Sequence, residues 1–353
     1  MASRHTDRAT VRATYPHDVE LLLRGSGAGL SWEVGRSPDE LDGATRVFHL
    51  DVAHGESIEL KVLRGDGAWM AGRNAVIGCG DVLELYPAFD RMHGELLPSF
   101  ELAVAGGRPL NVRVMLPPSY QEQTELRFPV LYVQDGQSVW SDSSDPFGSW
   151  GLDHVLDELW ELGAIADVIT VAIETSRDRL HLLGPVRDPS FGGGGGGGHL
   201  KAIVDRLKPH IDETLRTRSE RAATTLMGSS MGGLFSFYAA WERPEVFGGA
   251  ICLSPSFWWA DRFVVRRVDG GACPAPRPRL YLDSGAAASA LEGDASTRDG
   301  VHVVRAMHRA LVGHCYEPGN DLHLLSWTGH RHSPTSWASR VAVPLQLFLP
   351  RSV

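Results

Sequence analysis

The segment Met227-Gly228-Ser229-Ser230-Met231-Gly232-Gly233 constrains this chain most, because it joins a strand pattern to a helix pattern through a turn with almost no side-chain bulk. Residues 222–226 upstream form a short apolar run of strand type, and residues 234–240 downstream read as a buried helix. A sharp strand-to-helix turn needs residues without a Cβ on both sides of its apex, and Gly228 and Gly232 supply them in a G-x-S-x-G pattern. Ser230 then sits at the apex with its hydroxyl projecting from the sheet edge, as a candidate nucleophile. The Met231 N–H, free at the helix N-terminus, points to where an oxyanion would develop.

Strands and helices alternate through the rest of the chain after residue 100. Residues 100–104 and 110–116 pair as a hairpin around Gly106-Gly107, and 128–133, 168–173, 249–254, 279–283 and 322–327 read as further strands. Residues 152–160 and 200–218 read as helices, as does 336–349 at the C-terminal end. Such alternation predicts the α/β class, with right-handed crossovers and a mostly parallel sheet covered on both faces. Before residue 100 come only short runs, at 19–23, 45–50, 58–63 and 81–85, separated by Gly- and Asp-containing turns. The expectation is a small all-β sandwich over 1–100 and an α/β domain over 101–353, which a chain of 353 residues with 43% apolar content accommodates. Trp32 and Trp69 of the sandwich are core residues by default, with stacking on a sugar or aromatic ligand as the other reading.

Charge and cysteine usage narrow the partners. A net charge of −9 with scattered Lys and Arg offers no nucleic-acid or anionic-membrane surface. The N-terminus is polar and no stretch approaches the ~20 apolar residues of a membrane span, so a cytoplasmic protein is the expectation. Cys79, Cys252, Cys273 and Cys315 form no C-x-x-C and are expected as buried thiols. The seven consecutive glycines 192–198 are expected as a flexible loop beside the site entrance, since glycine loses the most backbone entropy on ordering.

Serine hydrolases of the α/β type order their triad Ser, acid, His, with the His beyond the final strand. Residues 326–334 lie there and contain His330 and His332. At this point the sequence resembles the Putative esterase family, which includes enterochelin esterases, feruloyl esterases and formylglutathione hydrolase relatives. The resemblance rests on Ser230, on the tract Leu253-Ser254-Pro255-Ser256-Phe257-Trp258-Trp259, and on His332 followed five residues later by Trp337. It implies an α/β-hydrolase domain with His332 as the general base. Gln134-Asp135-Gly136-Gln137 resembles the family's Asp-Gly-Gln, which implies the Gln137 N–H as second oxyanion donor, with Asp135 as a structural cap. The resemblance points to Asp299 as the acid, with Asp294 and Glu292 as rivals and an acid-free Ser-His dyad also open. Trp258 and Trp259 are expected to border the substrate pocket, with packing as the alternative for at least one. The segment 58–87 resembles the immunoglobulin-like domains that precede esterase domains and occur in starch-acting enzymes.

The resulting expectation is a serine carboxylic-ester hydrolase acting on a small-molecule ester through an acyl-enzyme. It needs no metal or organic cofactor and no nucleic-acid or membrane partner. The resemblance allows a catecholate siderophore ester, a feruloyl or acetyl sugar ester, or a simple acyl ester. An acyltransferase on the same fold and a non-catalytic carbohydrate-binding protein are the alternatives.

Overall fold

The computed structural model describes residues 6–104, 106–175, 178–286 and 300–350. Its N-terminal part is built from β1 (Thr6–Thr14), β2 (Leu21–Ser26), β3 (Glu40–Asp42), β4 (Thr45–Ala53), β5 (Ser57–Arg64), β6 (Ala75–Gly78) and β7 (Val82–Leu85). They form a four-stranded sheet in the order β3-β4-β1-β7 and a three-stranded sheet in the order β2-β5-β6. Ala9, Val11 and Ala13 of β1 alternate inward and meet Leu21 and Leu23 of β2, Phe48 and Leu50 of β4, and Leu60 and Val62 of β5. Two sheets sharing one apolar layer is the sandwich that the run-and-turn pattern predicts. Strand β1, central in its sheet, was not among the expected strands, because its inward residues are small and the polar Thr10 and Arg12 separate them. Trp32 and Trp69 are not core: their rings lie 6.2 Å apart, Trp69 is 40% exposed, and the Arg24 guanidinium covers its ring at 5.4 Å.

The C-terminal part opens with β8 (Glu95–Leu96), β9 (Phe100–Leu102) and β10 (Leu110–Leu116). Then come β11 (Val130–Gln134), α1 (Leu152–Glu161), β12 (Ile169–Ile173), α2 (Arg179–Leu183), β13 (Arg187–Asp188), β14 (Gly192–Gly193) and α3 (Gly196–Ala202). A π-helical turn (Ile203–Leu207) carries α3 into α4 (Lys208–Thr214), followed by β15 (Thr224–Ser229), α5 (Met231–Glu242), β16 (Gly249–Leu253) and α6 (Trp259–Asp269). The chain ends with β17 (Arg279–Ala286), α7 (Val301–His314), β18 (Leu322–Thr328), α8 (Pro334–Ala338) and α9 (Ala342–Phe348). Among the described residues the large sheet has nine strands, in the order β18-β17-β16-β15-β11-β12-β10-β8 with β9 also on β10. From β18 to β12 all neighbours are parallel, and β10 turns antiparallel to β12. These central strands are buried on both faces, as helices on each side of a parallel sheet require. The fold is an α/β-hydrolase preceded by a β-rich region.

Three local expectations are corrected. The helix read over 336–349 is two, α8 and α9, at an angle that lets Trp337 and Arg340 point into the protein, where both are buried. Cys273 and Cys315 are a disulfide rather than buried thiols, joining the segments that enter β17 and β18; their 42-residue separation hid the pairing. Cys252 is the buried thiol expected, and Cys79 is half-buried.

The glycine run is the third correction: it is ordered and packed. Gly192 and Gly193 pair with Asp188 and Arg187, and Gly196 to Gly198 open α3. A Cβ on Gly193 would lie 2.7 Å from the Leu180 carbonyl oxygen and 2.7 Å from the Trp259 ring, and one on Gly196 2.9 Å from the Gly184 oxygen. The composition reflects close approach of backbone to backbone and to an indole face, which glycine alone permits.

The two parts meet at Glu122, buried to 6% exposure. One of its oxygens accepts from the Phe89 and Asp90 N–H groups at 2.9 Å, and the other from the Tyr15 hydroxyl at 2.8 Å. Gln123 next to it donates to the Pro87 and Thr14 carbonyls, so the exits of β7 and β1 are both tied to the esterase-side loop.

Candidate active site

The turn from β15 into α5 places Ser230 in a conformation that L-residues avoid, with φ 55° and ψ −118°. Only a tight surround sustains such a backbone. The Ser230 N–H donates to the Leu253 carbonyl, and the Ser230 carbonyl accepts from the Ser256 and Leu234 N–H groups at 3.0 Å. Gly228 and Gly232 face each other so closely that a Cβ on Gly228 would sit 2.4 Å from the Gly232 carbonyl carbon. The two glycines of the pattern are therefore required by sterics, as read from the sequence.

The Ser230 hydroxyl lies 2.8 Å from His332 Nε2 and 3.3 Å from the Ser256 hydroxyl. His332 follows β18 in the loop before α8, and its ring packs edge-on against Trp337 at 5.1 Å between centroids. The five-residue spacing of His332 and Trp337 thus has a physical basis: one helical step places the indole under the imidazole. Trp337 is itself fixed, its N–H donating to the Ser254 hydroxyl at 3.1 Å. The rival His330 instead lies against Trp327 at 5.6 Å.

Beneath this loop runs a buried charge pair that the sequence did not suggest. Arg340 and Asp283 are both 0% exposed in their side chains, and the guanidinium meets the carboxylate at 3.0 Å through Nε and at 3.0 Å through Nη2. Asp283 also accepts from the Ser254 N–H at 2.9 Å and the Tyr281 hydroxyl at 3.1 Å. Burial, then the Asp283 charge, pushes the Tyr281 phenol well above its ordinary pKa, so it stays a donor. A desolvated pair needs further hydrogen bonds to be stable, and the Asp283 oxygens accept these two donors besides Arg340. The network ties the ends of β16 and β17 to α8, the elements that carry Ser254, Asp283 and Trp337.

On the opposite bank, β11 ends at Gln134 and the chain turns through Asp135, whose φ of 62° is left-handed. The Asp135 carboxylate is 3% exposed as a residue and binds Arg179 twice at 2.8 Å, the Thr175 hydroxyl at 2.5 Å and the Gln137 side-chain amide at 3.3 Å. Gln137 is held from its other end by the Thr175 N–H, 3.1 Å from Oε1. The Met231 N–H lies in the first turn of α5, beyond the reach of that helix's own carbonyls, and the Gln137 N–H lies in the 3-10 turn Gly136–Ser138. The Gln134 side-chain oxygen accepts from His199 Nε2 at 3.0 Å; burial holds the His199 pKa down to about 4, so the ring is neutral. Arg179, Thr175 and His199 were missed in the sequence, since each lies in an unremarkable helix or loop far from Asp135 in the chain. A cleft of about 440 Å³ on the outer side of this loop is lined by Arg108, Asn111, Thr175, His181 and His199, and Ser230 is not part of it.

The Trp258-Trp259 pair divides. Trp259 is 1% exposed and donates its indole N–H to the Val186 carbonyl, so it is a packed wall, the packing alternative of the pair. Trp258 is 42% exposed and meets Phe191, 56% exposed, edge-on at 5.5 Å. Asp188 ties these aromatics together, accepting from the Ser190, Phe191 and Ala260 N–H groups. Trp258 is two residues from Ser256, whose hydroxyl lies 3.3 Å from that of Ser230. Phe147, 83% exposed, stands on a loop whose Gly148 lies against Pro334 near His332. Asp299, Asp294 and Glu292, the candidate acids, lie outside the described residues.

Comparison with known proteins follows the same residues. A profile of the Putative esterase family matches residues 104–338. The uncharacterized protein YbbA of Bacillus subtilis (strain 168) is 28% identical over 152 residues, 41% of this chain and 56% of that protein. The iron(III) enterobactin esterase of Escherichia coli O6:H1 is 25% identical over 227 residues, 62% of this chain and 53% of that one. The chain thus spans about half the length of these curated relatives. The enterobactin esterase of Shigella flexneri, solved with 2,3-dihydroxy-N-benzoyl-glycine, superposes with a TM-score of 0.55 at 14% identity over 93% of this chain and 88% of that one. That likeness is one of fold and spans the sandwich as well as the sheet. With its matched region running from before β10 into α8, and with Ser230, Gln137 and His332 inside it, the chain belongs to the Putative esterase family.

Proposed function

We propose that the protein is a serine carboxylic-ester hydrolase in which Ser230 attacks the ester carbonyl. The observation that carries this reading is the 2.8 Å contact between the Ser230 hydroxyl and His332 Nε2 at a strained strand-to-helix turn. His332 takes the serine proton as the C–O bond forms, then gives it to the departing alcohol, leaving an acyl-enzyme. Water, deprotonated by the same imidazole, releases the acid and restores Ser230. The Met231 and Gln137 N–H groups receive the oxyanion, which stabilises the tetrahedral state without any reorganisation at the moment of reaction. Asp299 is proposed to orient the imidazole, with Asp294 and Glu292 as rivals. No metal or organic cofactor takes part in this chemistry.

The exposed Trp258 and Phe191 rim favours an ester with an aromatic or flat apolar group next to the scissile bond, in keeping with the substrate in the names of the enterobactin esterase relatives. The two-domain division is proposed on the separate cores of the two parts, with the boundary expected at residue 100 moved back to before the short strand β8, which pairs with β10 in the hydrolase sheet. A cytoplasmic site of action is also proposed, with the consequence that the Cys273–Cys315 bridge is then dispensable for turnover.

The test is hydrolysis of short-chain and aryl p-nitrophenyl esters by the purified protein beside Ser230→Ala and His332→Ala. Each variant is expected to lose at least about a thousandfold in kcat. Full retention of turnover by Ser230→Ala sinks the assignment. Product analysis with an added alcohol separates hydrolysis from acyl transfer.

A further inference from the structure

We propose that Asp7, His54 and Cys79 form a zinc-binding site at the end of the N-terminal sandwich remote from the esterase sheet. The three side chains come from different segments: the start of β1, the turn between β4 and β5, and the turn between β6 and β7. Their ligand atoms, a carboxylate oxygen, an imidazole nitrogen and a thiol sulfur, all lie within 4.8 Å of one another. His54 Nε2 and Asp7 Oδ2 are already 3.2 Å apart, about the edge of a coordination tetrahedron. The sulfur is the atom that has to close up, by roughly 1 Å, to reach a tetrahedral edge.

The backbone brings these groups together independently of any ion. β1 pairs with β4 so that Asp7 stands opposite Val52, two residues before His54. The Cys79 turn is closed by the Asp81 carboxylate on the Gly78 N–H at 2.9 Å, and the Asp81 carbonyl accepts the Thr10 N–H at 2.9 Å, which fastens the turn to β1. A thiolate, an imidazole and a carboxylate suit zinc and exclude the oxygen-seeking magnesium and calcium. Among the described residues the site offers three protein ligands. Binding displaces the Cys79 proton to solvent, and the ion then adds a cross-link among three segments at one end of the sandwich. The docking end of the sandwich is Tyr15, eight residues along from Asp7, or about 26 Å of extended strand. Ester turnover is therefore independent of the site, and the proposal does not rest on the assignment of Ser230.

The chain's other thiols make the test clean. Cys252 is buried and Cys273 and Cys315 are bonded to each other, so in non-reducing buffer a sulfur-to-cobalt charge-transfer band reports Cys79. Titration of the full-length protein with Co²⁺ is expected to give that band with one-to-one saturation, bleached by one equivalent of Zn²⁺. Cys79→Ser should remove the band, and His54→Ala and Asp7→Asn should each weaken zinc at least tenfold in a competition with a chromophoric chelator. All three variants should keep the wild-type circular dichroism and p-nitrophenyl ester turnover. Absence of the band in the wild type, or zinc affinity unchanged in both His54→Ala and Cys79→Ser, overturns the proposal.

Discussion

Replacing Gly193 by alanine tests whether the glycine run is a packed element. Gly193 has φ +78°, and its absent Cβ would meet the Leu180 carbonyl oxygen at 2.7 Å and the Trp259 ring at 2.7 Å. A left-handed backbone costs an L-residue about 1–2 kcal/mol. Forcing a methyl into a filled space costs about 1–3 kcal/mol more, because a carbonyl and a buried indole cannot swing aside as a lysine tip would. Against this, alanine narrows the unfolded ensemble and returns about 0.4–1 kcal/mol. The net expectation is a loss of roughly 1–5 kcal/mol, a large part of the ~5–15 kcal/mol that holds a domain folded. For a hydrolase domain of this size that lowers Tm by roughly 2–20 °C. Gly198→Ala is the internal control: it lies in α3 with nothing within 4 Å of its Cβ position, and alanine there should stabilise by about 0.5–1 kcal/mol. Urea titration and thermal melting of both variants measure the contrast. If Gly193→Ala melts with the wild type, or Gly198→Ala is the more damaging of the two, the run is a loose loop and the steric argument fails.

Arg179→Gln removes two charge-assisted bonds from Asp135 and loosens the turn that carries the Gln137 N–H; kcat should fall about 10–100-fold with KM nearly unchanged, since the loss is felt at the oxyanion. In the double variant with Asp135→Asn the two losses should be clearly less than additive, as coupled partners require, and additivity would place Arg179 outside the network. Reducing Cys273–Cys315 opens a loop of 42 residues' separation, which on loop entropy costs about 4 kcal/mol of stability, while turnover at 25 °C should be unchanged because the bridge lies where β17 and β18 begin, away from Ser230. His199, neutral with its pKa depressed to about 4, stays unprotonated where the unfolded chain takes up a proton at ~6.5, so its contribution is intact above pH 6.5 and is lost as pH falls from there to about 4. Replacing His199 with Gln should flatten that part of the stability-versus-pH curve measured by urea titration; an unchanged slope would mean that another group controls it.

Why some of this was legible in the sequence and some was not follows from how each residue is specified. Ser230 and His332 were readable because their placement depends on local pattern: two glycines around a turn, and an aromatic one helical step beyond a loop histidine. The alternation of strands and helices was readable for the same reason. Arg179, Thr175 and Arg340 were not, since nothing near them in the chain differs from an ordinary surface helix or loop, and their value comes from a partner 40 or more residues away. The glycine run misled because composition reports the entropy lost by glycine and says nothing of the indole and carbonyl pressed against it.

The carboxylates carry the same lesson further. Asp135, Glu122, Asp188 and Asp283 are all buried, and each is occupied by backbone N–H groups, hydroxyls or an arginine. Asp283 stands near the end of β17, the strand before the segment where the chain order of a serine hydrolase places its acid. Yet its oxygens bind Arg340, Ser254 and Tyr281, which makes it the anchor of the framework beneath the histidine loop. Acidity and position in the sequence do not separate a framework carboxylate from a catalytic one. What separates them is whether lone pairs remain for the imidazole, and for that role Asp299, Asp294 and Glu292, substituted one at a time, are the decisive comparison: the true partner should cost about a thousandfold or more in kcat, and the bystanders close to nothing.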